Sequence, residues 1–439
     1  ALAINTSNAA TDAGGSITRT ATGTLSGTSV ALTTGTGDIG AAGTEINLAA
    51  NQTGVVATTH GAGAIYLRDA GALTLGAITT AGGLVDIATT AAGTLTAGGA
   101  IASNGGAVSL NAQDALAVDG GITAGAGAVN LLANQDGAGA QGFSQADATT
   151  IAGTGITLTV NTGAGTGTGG AVLSTLTDAG ALAINTSNAA TDAGGSITSS
   201  GVLTIAGTTS FNAGTANDIT LGNANDFGGA VSVVSGNNVT LNDTGTIDLG
   251  ASTVSGNLVV TAAGAITDSG NLFIAGTTTL TPGAGNSITL DQAGNNFGGA
   301  LSVANGANVT VVDSSALDLG AIGITGDLTA TATTGDISNT GALTIGGNSS
   351  FTANAVGASI GVANAGNNFT GTVAFGGAGG LANVTVVDAT ALDLQAITLS
   401  GNLNVTAAGM TNSGALSVTG VTSLTAGAAN NIVLDNANN

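Results

Sequence analysis

Arg19, Arg68 and His60 are the only side chains of this 439-residue chain that can carry positive charge, and 24 acidic ones stand against them, for a formal charge of −22. Lyase chemistry on an acidic sugar needs a base to take a proton and cations to neutralise the uronate. Arg19 and Arg68 lie 49 residues apart, with no carboxylate cluster beside either in the sequence. Glycoside hydrolysis needs carboxylates converging on one bond, whereas the acids here are spread singly, as at Asp248, Asp318 and Asp393. A lone histidine excludes a multi-histidine metal site and a histidine-based triad. His60 falls in a turn phrase, Thr58-Thr-His-Gly61, and Asp69 follows it with no nucleophile phrase nearby. Cysteine is absent, which removes disulfides and thiolate metal sites. No catalytic, cofactor-binding or metal-ligating residue is therefore assigned, and the chain is expected not to be an enzyme.

Four weaker signals remain. Gly165-Thr-Gly-Thr-Gly-Gly170 fits a phosphate-loop pattern in letters, but Ala171-Val-Leu-Ser-Thr-Leu after it reads as a strand where that motif needs a helix. Gly376-Gly-Ala-Gly-Gly-Leu381 comes nearest to a calcium solenoid repeat, with leucine where the aspartate ligand belongs. The recurring Asp243, Asp313 and Asp388 should lie about three coils apart, too far to share an ion, so only weak, diffuse Ca2+ association is expected. Tyr66 and Arg68 share the outer face of Ile65-Tyr-Leu-Arg and read as a surface pair, glycan contact being the alternative. Threonine phrases such as Thr278-Thr-Leu-Thr281 are not expected to fall into one file on every coil, as an ice-ordering face would need.

So few basic residues argue against nucleic acid and against an anionic membrane surface as partner. No run of about 18 apolar residues is present, so no helix is expected to cross a bilayer. Regular alternation of Val, Ile and Leu with Thr, Asn and Asp argues for order despite 76 glycines. Val239 and Leu241 fall on one face and Thr240 and Asn242 on the other; Ile247 and Leu249 flank Asp248 in the same way. Such short alternating runs, ended by Gly, Asn or Asp, are half-buried strands.

The strands come in a metre. Gly201-Val-Leu, Gly270-Asn-Leu, Gly341-Ala-Leu and Gly414-Ala-Leu open units spaced 69, 71 and 73 residues apart. Asn238-Val-Thr, Asn308-Val-Thr and Asn383-Val-Thr recur inside them, followed by Ile247-Asp-Leu, Leu317-Asp-Leu and Leu392-Asp-Leu. The low aromatic content, 2%, argues against propeller blades, and unbroken repetition argues against sandwich domains. A parallel β-helix fits, with about three short strands per coil and about three coils per unit. Asn225, Asn295 and Asn367 are expected to turn one corner on every third coil, and Phe227, Phe297 and Phe369 to plug the corner of their own coil. Residues 1–439 read as one continuous solenoid: looser coils over 1–200, then repeats at 201–269, 270–340, 341–413 and a partial one at 414–439. Ala1–Thr18 recurs letter for letter at Ala181–Thr198, and Ile432–Asn439 repeats a phrase that elsewhere continues into phenylalanine. The chain is thus expected to be a length of a longer repetitive protein.

With its Gly-Ala-Leu openings, N-V-T-V-x-D and A-L-D-L phrases and Gly/Asn/Asp turns, the whole chain resembles the repeat region of filamentous-haemagglutinin-like giant adhesins of two-partner secretion. The resemblance is one of style rather than of a diagnostic motif. It implies a right-handed β-helical shaft on a bacterial cell surface that holds a binding tip away from the cell. That family's Asn-Pro-Asn-Gly secretion motif does not occur in this chain, where the only proline is Pro282. The expected role is a secreted structural stalk, extracellular, whose partners are its own neighbouring coils and, through domains outside this segment, surface glycans or other cells. A subunit of a self-assembling fibre or sheath, and a glycan- or ice-binding solenoid, are the alternatives.

Overall fold

The computed structural model describes residues 1–8, 11–20, 22–161, 165–188 and 191–439. Among them every regular element is a β-strand, and the strands pair in parallel. Parallel neighbours cannot be joined by a tight hairpin, so the chain must travel once round before it lies on itself. One circuit in the first unit, Ala1–Asn237, runs through Val85–Thr89, Leu95–Ala97 and Ile101–Ala102. Val108–Asn111, Leu116–Val118 and Ile122–Thr123 then lie on those three in turn. Three sheets wind round an interior, and the described residues make about 19 turns.

The second unit, Asn238–Asn439, repeats the plan. Val239–Asp243, Ile247–Leu249 and Ser252–Val254 are covered by Leu258–Ala262, Ile266–Asp268 and Leu272–Ile274. Stacked residues such as Ile266, Ile288, Val309, Leu328 and Ser349 are 19 to 22 positions apart. Three such steps, from Ile266 to Leu328, cover 62 residues, so a repeat of about 70 residues is about three coils and a third. Ile337, 71 residues after Ile266, accordingly stands on Leu317 in another file rather than above Ile266.

Alternation builds the interior. Strand Val55–Thr59 buries its first, third and fifth residues, and the file Ile87, Leu110, Leu131, Leu158, Ile184, Phe211 and Val233 runs up the first unit, each at most 2% exposed. Each such side chain contributes about 1.5–3 kcal/mol on leaving water. Glycine has a positional use. Gly63, Gly83, Gly106 and Gly127 form one corner on successive coils, and a methyl group on any of the last three would overlap the carbonyl oxygen of the glycine one coil before it. The coils close up there because no side chain intervenes.

The duplicated phrase gives an unexpected result. Leu2–Asn5 of the first copy pairs with Val30–Thr34, in the file that continues through Val55–Thr59 to Ile78 and Ile101. Leu182–Asn185 of the second copy instead lies between Ile156–Val160 and Thr209–Asn212, in the sheet of Val85 and Val108. Identical letters thus occupy two different faces, since all three faces ask for the same inward apolar, outward polar strand.

Candidate functional site

The two arginines converge on one glutamate. Strand Ile65–Asp69 points Ile65, Leu67 and Asp69 inward, leaving Tyr66 and Arg68 outside. Tyr66 stands opposite Asp86 on the next coil, and Arg68 opposite Asn47 on the previous one. Arg68 Nη1 donates to Asp86 Oδ1 at 3.0 Å, and Nη2 donates to Asp86 Oδ2 at 3.2 Å and to Glu45 Oε1 at 3.4 Å. Arg19 Nε donates to the Glu45 carbonyl at 2.7 Å. The expectation that no carboxylates accompany the arginines is corrected for Arg68. Residues 23 before and 18 after it are distant in sequence but only one coil away in space.

Glu45 is held below the ordinary carboxylate range by its own backbone N–H, then by that of Gly43, Arg68 and Arg19, against a partial desolvation. Arg68 spends both Nη groups on protein oxygens, so the cluster works as a clamp across three consecutive coils. Arg68→Met should cost about 1–3 kcal/mol, between the values for exposed and buried ion pairs. Faster amide exchange in Ile46–Leu48 and Val85–Thr89 would register it; unchanged exchange there would rule the clamp out.

His60 pairs with Asp12, Nδ1 to Oδ1 at 2.8 Å, with both side chains open to solvent. Asp69 has another use. Its carboxylate is buried and accepts N–H bonds from Asn51, Gln52 and Gly71 at 3.1, 3.2 and 2.8 Å. Gly165–Gly170 runs into strand Ala171–Leu173, and Leu381 opens strand Leu381–Val387 as a buried residue.

Asp69 is one instance of a corner that recurs. Asp178 accepts from Gly155 and Ile156 N–H, each at 2.7 Å, and from Gly180 N–H at 2.8 Å. Asp313 accepts from Phe297 N–H at 3.0 Å and Ser315 N–H at 2.7 Å, and Asp388 from Phe369 N–H at 3.4 Å and Thr390 N–H at 3.0 Å. Each carboxylate thus ties its own turn, two residues on, to the coil beneath. Asn225, Asn295 and Asn367, all fully buried, complete the corner. Their Oδ1 atoms accept from Leu203, Leu272 and Leu343 N–H at 3.0, 2.9 and 2.9 Å. Those leucines are the ones in the Gly-x-Leu openings, so the two most regular phrases of the sequence meet one coil apart. Backbone groups inside a solenoid corner cannot reach water, and these side chains supply the missing partners.

The phenylalanines plug these corners in company. Phe227 meets Phe211 edge to face at 6.4 Å between ring centres, and Phe369 meets Phe351 at 6.1 Å. Outside, a threonine file that the repeat pattern does not announce stands on one sheet of the second unit. Thr267, Thr289, Thr310 and Thr329 are stacked in register on consecutive coils, with Ser350 above them. Among the described residues no group of His, Cys, Asp or Glu is arranged to hold a metal ion. Among the described residues no helix is long and apolar enough to cross a membrane.

No curated protein and no solved structure matches the chain. The model of the family described as repeats of unknown function (DUF5649) matches residues 169–234, 236–304, 306–376 and 381–439, more than half of the chain, and the chain belongs to that family.

Proposed function

We propose that this solenoid is the shaft of a giant secreted bacterial surface protein, an adhesin-like stalk that acts as a rigid spacer in the extracellular space. A repetitive β-solenoid is suited to a structural role. The observation that carries this reading is where the buried polar side chains are spent. Asp178, Asn225, Asn295, Asp313, Asn367 and Asp388 all bond the backbone of an adjacent coil. Such bonds resist separation of coils, and the excess of outward aspartate keeps like rods apart in solution. Electron cryo-microscopy of the native extracellular material tests the proposal. A chain that can be followed across repeat boundaries, with coils about 4.8 Å apart, supports it. Discrete capped particles would refute it.

The threonine file favours a second reading, in which that face orders water against ice. Among the described residues no hydrogen bond joins the hydroxyls of Thr289, Thr310 and Thr329 to the protein, so the file offers hydroxyls and methyls at the strand repeat. Retarded ice recrystallisation that is lost in Thr310→Lys would support this; equal ice growth with and without the protein would dismiss it.

A further inference from the structure

The second unit has no cation of its own. Residues 238–439 contain eleven aspartates and not one Lys, Arg or His. Asp268, Asp313 and Asp388 are nonetheless buried between coils. Asp268 lies on Leu249 below and accepts from Asp291 N–H at 3.0 Å and Asn295 Nδ2 at 2.7 Å above. Asp313 sits between Phe297 below and Ala332 above, and Asp388 between Phe369 and the Thr406 backbone. Among these neighbours the only titratable one is Asp291, itself an acid. Every partner of the three carboxylates is neutral, and Asp388 Oδ2 is buried with no hydrogen-bond partner at all.

We propose that the coils of residues 238–439 are tightened by acid, because Asp268, Asp313 and Asp388 are buried between them with only neutral hydrogen-bond partners. Burial raises the carboxyls of Asp268, Asp313 and Asp388 above the ordinary 3.8, their N–H donors only partly offsetting it. A carboxyl raised on folding destabilises the fold wherever it is ionised in both states. Stability therefore grows as pH falls through the folded value and levels off below the unfolded one. The first unit carries the opposite sign. Asp192 is held low, chiefly by the Thr215 hydroxyl and then by its N–H, and Glu45 is held low as described. Their contribution is lost as pH falls through their folded values.

Hydrogen exchange on the whole chain, corrected for intrinsic rates, separates the two units in one experiment. Between about pH 8 and about pH 5, above the ordinary carboxylate range, amides of Val309–Asp313 and Leu328–Ala332 should exchange severalfold more slowly at the lower pH. Those of Ile46–Leu48 should not gain. General repulsion among surface carboxylates is screened at about 1 M salt, where the Debye length is about 3 Å. Buried carboxylates are screened far less, so the acid effect should persist there. An effect that vanishes in high salt, or protection that is flat or falls toward pH 5, would overturn the proposal.

Discussion

Replacing Asn295 with leucine should cost about 3–5 kcal/mol, most of a typical domain's margin, and should loosen two coils at once. Asn295 is fully buried, with Oδ1 on Leu272 N–H at 2.9 Å and Nδ2 on Asp268 Oδ2 at 2.7 Å. Leucine keeps the bulk and removes both bonds. It strands a buried N–H on the coil below and leaves Asp268 Oδ2 only the long Gln292 N–H bond at 3.4 Å, each loss costing about 1–3 kcal/mol and more where the group is charged. Denaturant unfolding gives the total. Amide exchange at Leu272 shows whether the loss is local to the corner. Asn296, next along and half-exposed, is the control: Asn296→Leu should stay within about 0.5 kcal/mol of the parent. A stable Asn295→Leu protein whose Leu272 amide is still protected would remove the corner asparagine from the account.

The importance of that corner could be read before its geometry. Asn225, Asn295 and Asn367 recur with a phenylalanine close behind, and the recurrence marks a place where the backbone needs something. What it needs was hidden, because the partners are leucine N–H groups 22 to 24 residues earlier. The strand pattern was legible for a simpler reason: an inward Val, Ile or Leu every second residue leaves a strand no choice of face. Which of three faces a strand joins was not legible at all, as the two copies of Ala1–Thr18 show by taking different ones. The phase of the repeat is also a matter of framing. The family's units begin at residues 169, 236, 306 and 381, about half a unit ahead of Gly201, Gly270, Gly341 and Gly414, and the first of them reaches into the stretch read as irregular.

The ion cluster and the threonine file were missed for one shared cause. Glu45, Arg68 and Asp86 are each about one coil apart, as are Thr267, Thr289, Thr310 and Thr329. Coil length varies, with steps of 19 to 22 residues in that file alone, so no fixed spacing in the sequence reveals either set. The aspartate corners add a caution about charge. Composition reads 24 acids as a solvated negative surface, yet Asp69, Asp178, Asp243, Asp313 and Asp388 are all buried, serving as acceptors for backbone N–H groups. Hydrogen bonding, which sequence periodicity does not report, decides which aspartates face inward.

Phe351→Ala should cost about 5 kcal/mol, while Phe351→Leu should cost only about 1–2 kcal/mol, and the gap between them is the test. Phe351 is fully buried, stacked on Phe375 of the next coil at 5.6 Å with an 18° tilt and edge-on to Phe369. Truncation to alanine in a packed core costs about 3–5 kcal/mol, and each lost aromatic pair adds about 0.5–1.5 kcal/mol. A solenoid is badly placed to relieve the void. The strand carrying Phe351 is bonded to Leu328–Ala332 below and Thr372–Gly376 above, so the wall cannot sink inward without breaking both ladders. Leucine fills the matching phrase of another repeat, though on a different sheet. The phrase Ser349-Ser-Phe351 of one repeat is Thr278-Thr-Leu280 in another, where Leu280 is fully buried between Val260 and Val303. Denaturant midpoints for the two variants should therefore differ widely. Equal losses would mean that ring stacking, not filled volume, holds the corner, and a loss below about 1 kcal/mol for alanine would mean that the coils can collapse after all.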